Sequence, residues 1–425
     1  MTEAARPGPR VSARRGAPHL GLRANLAQFT LLAVDNGFVG MLVGSERTVV
    51  PLLGRESFHV TSLSLLLAFI VAFGLVKGPL NLVAGRLADR FGRRPVLVAG
   101  WVLGLPVPWM LLLAHGWWMV VAANLLLGAN QGLAWTMTVT SKIDLVGPQR
   151  RGLALGINEF SGYLGVAVAS AATGDLAARF GLRPAPLLLA AAVSLVGLLV
   201  ALLAIRETLG FTRIEAAARS ASATGDDRPT LAAVFRRVSW EDRSLFACSQ
   251  AGLLNKFSDT AVWGLLPVAM AAQGFDAATV GAVAGAYGLT WGVAQLGTGA
   301  LSDRVGRRLP IASGLALNAA GLGVASAARA LDVWLLAAIL MGLGTALLYP
   351  VLLAAVSDAA GPAWRGSALG VYRMWRDGGY ALGGLTVGLA AVQLSPRGAF
   401  FGLAVVLLGS AAFVAGTMRV DHPTP

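Results

Sequence analysis

Apolar stretches of roughly 20 residues recur from one end of this chain to the other, and roughly 20 is the length a helix needs to cross a hydrocarbon core. Nothing else in the sequence constrains the fold as tightly. About twelve such spans can be marked, near 27–50, 62–84, 95–114, 117–140, 152–178, 184–205, 244–270, 278–298, 310–329, 332–356, 366–391 and 397–418. Of the 425 residues 56% are hydrophobic and 13% charged. A soluble protein would carry roughly twice that share of charge. The expectation is an all-α integral membrane protein. The first 25 residues are rich in Arg, Pro and Gly and hold no apolar core of the kind a cleavable signal needs.

A net charge of +13 invites a nucleic-acid reading. The placement of the charge opposes it. With the N-terminus inside, 24 of the 34 Lys and Arg fall in the N-terminal tail, the inner loops and the C-terminal tail, against 5 on the outer face. Such a bias sets orientation, with both termini cytoplasmic in a plasma or inner membrane, and adds attraction to anionic lipid. The partners expected are a lipid bilayer and a small-molecule or ionic solute, with no nucleic acid, and the chain is expected to be a monomer. Cys248 is the only cysteine, so no intramolecular disulfide forms. His19, His59, His115 and His422 fall in tails or short outer loops. No HExxH or GxSxG occurs. An enzyme is not expected, nor is a metal or cofactor.

The chain is one unit written twice. GRLADRFGRR at 85–94 returns as GALSDRVGRR at 299–308, an offset of 214. At that same offset PQRRGLALG at 148–156 meets PAWRGSALG at 362–370. A register held across two separate stretches indicates duplication, with six spans per copy. The expected division is a basic tail (1–25), a six-helix half (26–205), a cytoplasmic linker (206–243), a second six-helix half (244–418) and a short tail (419–425). Two parallel repeats of six helices are a transporter architecture.

On these residues the chain resembles the major facilitator superfamily. Gly85, Asp89, Arg90, Gly92, Arg93 and Arg94 match the signature between that family's second and third helices. Gly299, Asp303, Arg304, Gly306, Arg307 and Arg308 stand where its weaker echo falls. The resemblance implies twelve helices in two pseudo-symmetric halves, with the second facing the eleventh and the fifth the eighth. It implies that Asp89 caps the eleventh helix of the other half and lets go when the halves rock. By symmetry Asp303 addresses the start of the fifth span, near Arg150 and Arg151. Gly85 and Gly92 permit a tight turn close to neighbouring helices. Gly85, Asp89, Arg90, Gly92, Arg93, Asp303 and Arg304 are therefore candidate gating residues. In the linker, the segment 213–227 reads as mobile. Residues 229–238 read as a short amphipathic helix on the inner leaflet, capped by Thr230, with Leu231, Val234, Phe235 and Val238 on one face. A plain tether is the other reading.

Ten ionisable residues fall inside the spans: Asp35, Glu46, Arg47, Lys77, Glu159, Lys256, Asp259, Arg373, Arg376 and Asp377. Facing lipid at mid-membrane, each would cost about 2.5–3.5 kcal/mol, so they must face the interior, pair, or sit near the interface. Spacing offers Arg373–Asp377, Arg376–Tyr380, Glu159–Tyr163 and Lys77–Asn81 at i,i+4, and Lys256–Asp259 at i,i+3. Lys77, Glu159, Arg373, Arg376 and Asp377 all lie roughly 10–16 Å from the cytoplasmic end of their spans. They form one layer, either a binding-site floor or an inner gate, to which Lys77 and Asp377 add gating candidates. Glu159 is the candidate proton carrier, with a permanent salt bridge as its alternative. Tyr287, Trp291 and Gln295 make a polar-aromatic stripe on the eighth span.

The resemblance places spans one, four, seven and ten around the cavity. Candidate solute contacts there are Asp35, Asn130, Gln131, Trp135, Asn255, Lys256, Asp259 and Tyr349, joined by Arg373 and Arg376 from the eleventh. Two features depart from the proton-linked drug exporters of the family. Gly128 stands where they carry an arginine before Gln131–Gly132, and GINEFSGYLG in the fifth span lacks their proline. The function expected is secondary transport of a small polar or charged solute by alternating access. The alternative is a transporter-like sensor that binds without moving its ligand.

Overall fold

The computed structural model describes residues 20–146, 151–211, 229–360 and 364–418. Among the described residues the long helices fall into twelve rods. In the first half these are α1 (Leu26–Glu56), α2 (Ala68–Phe91), α3 (Arg93–Leu112), α4 (117–146), α5 (Arg151–Phe180) and α6 (Ala185–Leu203). In the second they are α7 (243–271), α8 (Ala277–Val305), α9 (Arg308–Ala327), α10 (Leu331–Ala359), α11 (365–394) and α12 (396–417). Among the described residues, nine helices are individually long and apolar enough to cross a membrane. One of these, Arg365–Thr417, is α11 and α12 joined through Ser395, whose φ of 72° breaks the helix just before Pro396. The remaining two rods, α4 and α7, are divided by π-helical turns at Gln131–Trp135 and Ala261–Leu265. This arrangement is consistent with the twelve expected spans.

Both π turns lie deep in the protein and each carries an indole, Trp135 or Trp263, at a buried position. A π turn inserts one residue into the helical repeat and re-aims the side chains around it, which is why such turns gather at functional sites. Composition alone gave no sign of either.

The halves meet along two seams, α2 against α11 and α5 against α8. Small residues let the backbones close. A Cβ on Gly74 would lie 2.4 Å from the Ala381 nitrogen, and one on Gly78 would lie 3.0 Å from the Gly378 nitrogen. On the other seam a Cβ on Gly174 would be 2.9 Å from the Gly281 Cα. Contacts of this kind cluster toward the end opposite the repeated loops, where Gly384 meets Val71 and Gly388 meets Ser64. At the loop end of the α5–α8 seam, Gly152, Gly156, Gly297 and Gly299 have nothing within 4 Å of a Cβ. Close backbone approach at glycine is thus concentrated away from the loop end.

The duplication read from sequence survives as matching geometry. Arg93 pairs with Asp89 and Asp144, both at 2.9 Å. Arg307, 214 residues on, pairs with Asp303 at 2.6 Å and Asp358 at 2.9 Å. Gly92 (φ 98°) and Gly306 (φ 81°) end α2 and α8 in the left-handed region that favours glycine. Gly85 is different: it has open space around it, so no neighbour demands its missing side chain.

The short helix Leu231–Arg236 in the linker is capped by the Thr230 hydroxyl, which accepts from the Ala233 N–H at 3.3 Å. Its apolar face lies on α11 rather than on a leaflet. Val234 and Val238 are buried, the Phe235 ring centre is 6.2 Å from that of Trp375, and the Trp375 indole donates to Ser239 at 2.8 Å. Residues 213–227 lie outside the described residues, as do the tails up to 19 and from 419.

Candidate functional site

Between the halves, side chains from α2, α4, α5, α7, α8, α10 and α11 form one polar-aromatic layer. It is organised around three carboxylates.

Asp377 on α11 is the first. It accepts from Arg376 at 2.7 Å and from Asn81 at 2.6 Å, with the Lys77 ammonium 3.8 Å away. Thr136 in turn donates to Asn81 at 3.2 Å. The i,i+4 pairing of Arg373 with Asp377 expected from spacing is not what forms. Arg373 donates instead to the Tyr349 hydroxyl at 3.3 Å. The cross-half pairing of Lys77 with Asp377 does form. Asp377 is met by its neighbour Arg376 and, across the seam, by Asn81 and Lys77 of α2.

Asp259 on α7 is the second. It accepts from Lys256, from Tyr287 on α8, and from Tyr380 on α11 at 2.9 Å. Lys256 and Asp259 are completely buried. The i,i+3 spacing found this pair. Tyr380, expected beside Arg376, was drawn away to Asp259. Asn255 donates to Thr345 on α10 at 3.1 Å and braces α7 against α10.

Glu159 on α5 is the third. Its Oε1 accepts from the Trp135 indole at 2.8 Å and from Asn158 at 3.2 Å. Its Oε2 is buried without a hydrogen-bond partner. Tyr163 does not bond Glu159 as the spacing suggested. It stacks on Trp291 of α8, with ring centres 3.4 Å apart.

The aromatic groups of this layer serve its cations. The Arg376 guanidinium sits 3.9 Å from the Tyr349 ring centre, and Lys256 sits 4.6 Å from that of Trp291. Lys77 is held 5.7 Å from Trp135 and 5.6 Å from Tyr380. Ring faces carry negative quadrupole charge and attract a cation most strongly where water is excluded. With all groups ionised, four cations (Lys77, Lys256, Arg373 and Arg376) face three carboxylates. One positive charge is left over. Arg376 Nη2 has no hydrogen-bond partner, and Arg373 has no carboxylate within ion-pair distance among the described residues.

Other expected contacts are brought elsewhere. Both oxygens of Asp35 face the Trp101 indole on α3, at 3.2 and 3.3 Å. Asn130 donates to the Gly100 carbonyl of α3 at 3.0 Å. Gln131 donates to the Val39 carbonyl of α1 at 2.9 Å. These three residues tie α1 and α4 to their own half rather than entering the layer. In the loop motif, Asp89 pairs with Arg93, and its side chain is 72% exposed. Arg90 lies over Phe91, exposed, and Arg304 is exposed as well. Among the described residues Asp89 makes no hydrogen bond or ion pair with the first turn of α11, which begins at Arg365; residues 361–363 and Arg150 lie outside the described residues.

Two functional-looking groups lie beyond the candidates expected from sequence. Lys142 falls just past the expected end of the fourth span at 140, among the loop cations. The helix runs to Val146, and Lys142 is fully buried, donating to the Leu32 carbonyl at 3.1 Å. Its i,i+4 spacing from the inward-facing Thr138 was the available signal. Glu207, just past α6, accepts from the N–H groups of Arg93 (2.9 Å) and Arg94 (3.1 Å) and so caps α3. Nothing local announces that long-range cap.

Comparisons with known proteins agree with this architecture. A family model described as Major Facilitator Superfamily matches residues 37–252 and 248–425. Over 390 residues, 87% of this chain and 92% of the relative, the chain is 25% identical to the MFS-type transporter STM4428 of Salmonella typhimurium. Over 91 residues, 21% of this chain and 19% of the relative, it is 37% identical to the inner membrane transport protein YajR of Escherichia coli. Among solved structures, a POT family transporter in complex with 5-aminolevulinic acid superposes with a TM-score of 0.71 at 14% identity, covering 90% of this chain and 94% of that one. The human organic anion transporter MFSD10 superposes with 0.66 at 18% identity, covering 92% and 99%.

Proposed function

Because the chain belongs to the major facilitator superfamily, we propose that it is a secondary transporter that carries a small solute with an anionic group through the layer between its halves. The cytoplasmic face is the one bearing the repeated loops, by the charge bias of those loops. Access alternates as α2–α11 and α5–α8 rock on their glycine seams.

The observation that carries this reading is the surplus cation. An unbalanced guanidinium in a low-dielectric interior is costly, and an incoming anion removes the cost. Arg373 and Arg376 stand where the halves meet, and their planar forks suit a carboxylate or phosphate. The solute's anionic group docks there, on the Tyr349 side of the layer. Asp377 keeps Arg376 oriented, and Lys77 and Asn81 keep Asp377 charged and placed. The spare oxygen of Glu159 is free to take a proton, which makes it the proton carrier in a coupled cycle. Asp89, Arg90 and Arg93, with Asp303 and Arg304 in the second half, act in gating at the loop face, where Gly92 makes the turn.

Lysine substitution tests the ligand role. Arg373→Lys and Arg376→Lys keep the charge and lose the fork. Solute affinity in uptake assays should weaken about tenfold or more for at least one of them, as befits a lost charge-assisted hydrogen bond. Wild-type affinity in both, with only turnover changed, would mean that the cluster is a gate and not a solute site.

A further inference from the structure

Beside this layer lies a second buried cation that it does not use. Arg47 stands on α1, about 31 Å along the helix from Leu26. It is fully buried, and its Nε, Nη1 and Nη2 all lack a hydrogen-bond partner. No hydrogen bond joins it to its neighbour Glu46, whose two carboxylate oxygens are also without partners. The guanidinium lies over ring faces, Phe73 at 4.6 Å, Trp263 at 5.0 Å and Phe69 at 5.6 Å, with the charges of Glu46 and Asp259 also acting on it. Phe69 and Phe73 belong to α2, in Arg47's own half. Trp263 belongs to the π turn of α7, in the other half.

Aromatic faces offset part of the cost of burying a cation, but they leave five N–H donors unused. Asp259, the carboxylate of the neighbouring network, is no substitute partner. Its Oδ1 takes Tyr287, and its Oδ2 takes Lys256 and Tyr380. Arg47 is thus a guanidinium kept ready by apolar neighbours, with its hydrogen-bonding capacity unspent.

Its position says when that capacity is used. Residues 42–54 of α1 are buried without exception, toward the end opposite the repeated loops. Under the transporter reading above, opening of that end carries α7 off with the second half and takes Trp263 with it. Phe69 and Phe73 remain. One face of the guanidinium is then uncovered toward the gap between the halves.

We propose that Arg47 is a second anion subsite, used when the pathway faces outward, that receives the solute's carboxylate or phosphate-type oxyanion at the external end. This rests on the transporter reading above. Solute passes between Arg47 and the Arg373–Arg376 pair as the halves rock. Trp263 covers Arg47 again once the outer end closes, so the subsite exists in one state only.

The test uses the full chain in right-side-out and inverted membrane vesicles. Labelled acetate, lactate, benzoate and inorganic phosphate serve as probes, and half-saturation is measured separately at each face for any anion that is moved. Arg47→Gln should raise the external value about tenfold or more and leave the cytoplasmic value within about twofold. Arg47→Lys, which keeps the charge, should fall between. An equal shift at both faces, or none at either, overturns the subsite. Failure of both variants to accumulate as folded protein overturns it too, by making Arg47 structural. If wild-type vesicles move none of the four anions, the anion-transport reading fails first and the subsite with it.

Discussion

At the residue scale, Glu159 is the group whose two oxygens have different jobs. Oε1 is fixed by the Trp135 indole and Asn158, and Oε2 is free. A carboxyl held in place by one oxygen can gain and lose a proton on the other without moving. Glu159→Gln keeps the Trp135 contact and removes the proton. It should abolish accumulation driven by a pH gradient while sparing exchange of solute across the membrane. The check is a pair of assays on one preparation, gradient-driven uptake and counterflow; an unchanged pH dependence takes Glu159 out of the mechanism. Spacing along the helix identified Glu159 as an ion in the layer. It assigned the wrong neighbour, Tyr163, because the indole that bonds Glu159 comes from another helix and is aimed by a π turn.

At the scale of elements, the seams set which glycines matter. Gly74 faces backbone at 2.4 Å, and backbone cannot step aside as a flexible side chain can. Gly74→Val should destabilise the protein by about 1–3 kcal/mol through overpacking. Gly85, on the same helix, has nothing within 4 Å of its Cβ position. Gly85→Ala should stabilise α2 by about 0.5–1 kcal/mol, since it only removes backbone freedom from a helix interior. Thermal melts in detergent distinguish the two, and a destabilising Gly85→Ala would show that the position packs against something in another state. The linker helix belongs at this scale as well. Its sequence gave the cap at Thr230 and the apolar face, yet what covers that face is α11 at Trp375, next in sequence to Arg376.

For the molecule as a whole, the repeated loops hold the same ion pairs in both halves. Asp89, itself exposed, is bonded to Arg93 within its own half, and the buried Arg93 keeps a second partner in Asp144 when Asp89 is neutralised. Asp89→Asn should therefore leave expression and melting temperature intact and impair transport, as the gating role proposed above requires. Wild-type transport in that variant would end the gating role. The sequence by itself determined the class of the protein, the number of its spans, their duplication and the residues that cannot face lipid. Apolar length, charge asymmetry and a 214-residue offset are one-dimensional properties, so they can be read along the chain. The tertiary structure alone decided the partners. Asp377 turned to α2, Tyr380 to Asp259, Arg373 to Tyr349, and Asp35 and Asn130 to α3, because a buried polar group bonds whichever donor or acceptor the packing brings within reach. That proximity is set by helices hundreds of residues apart, and the spacing within any one of them does not encode it.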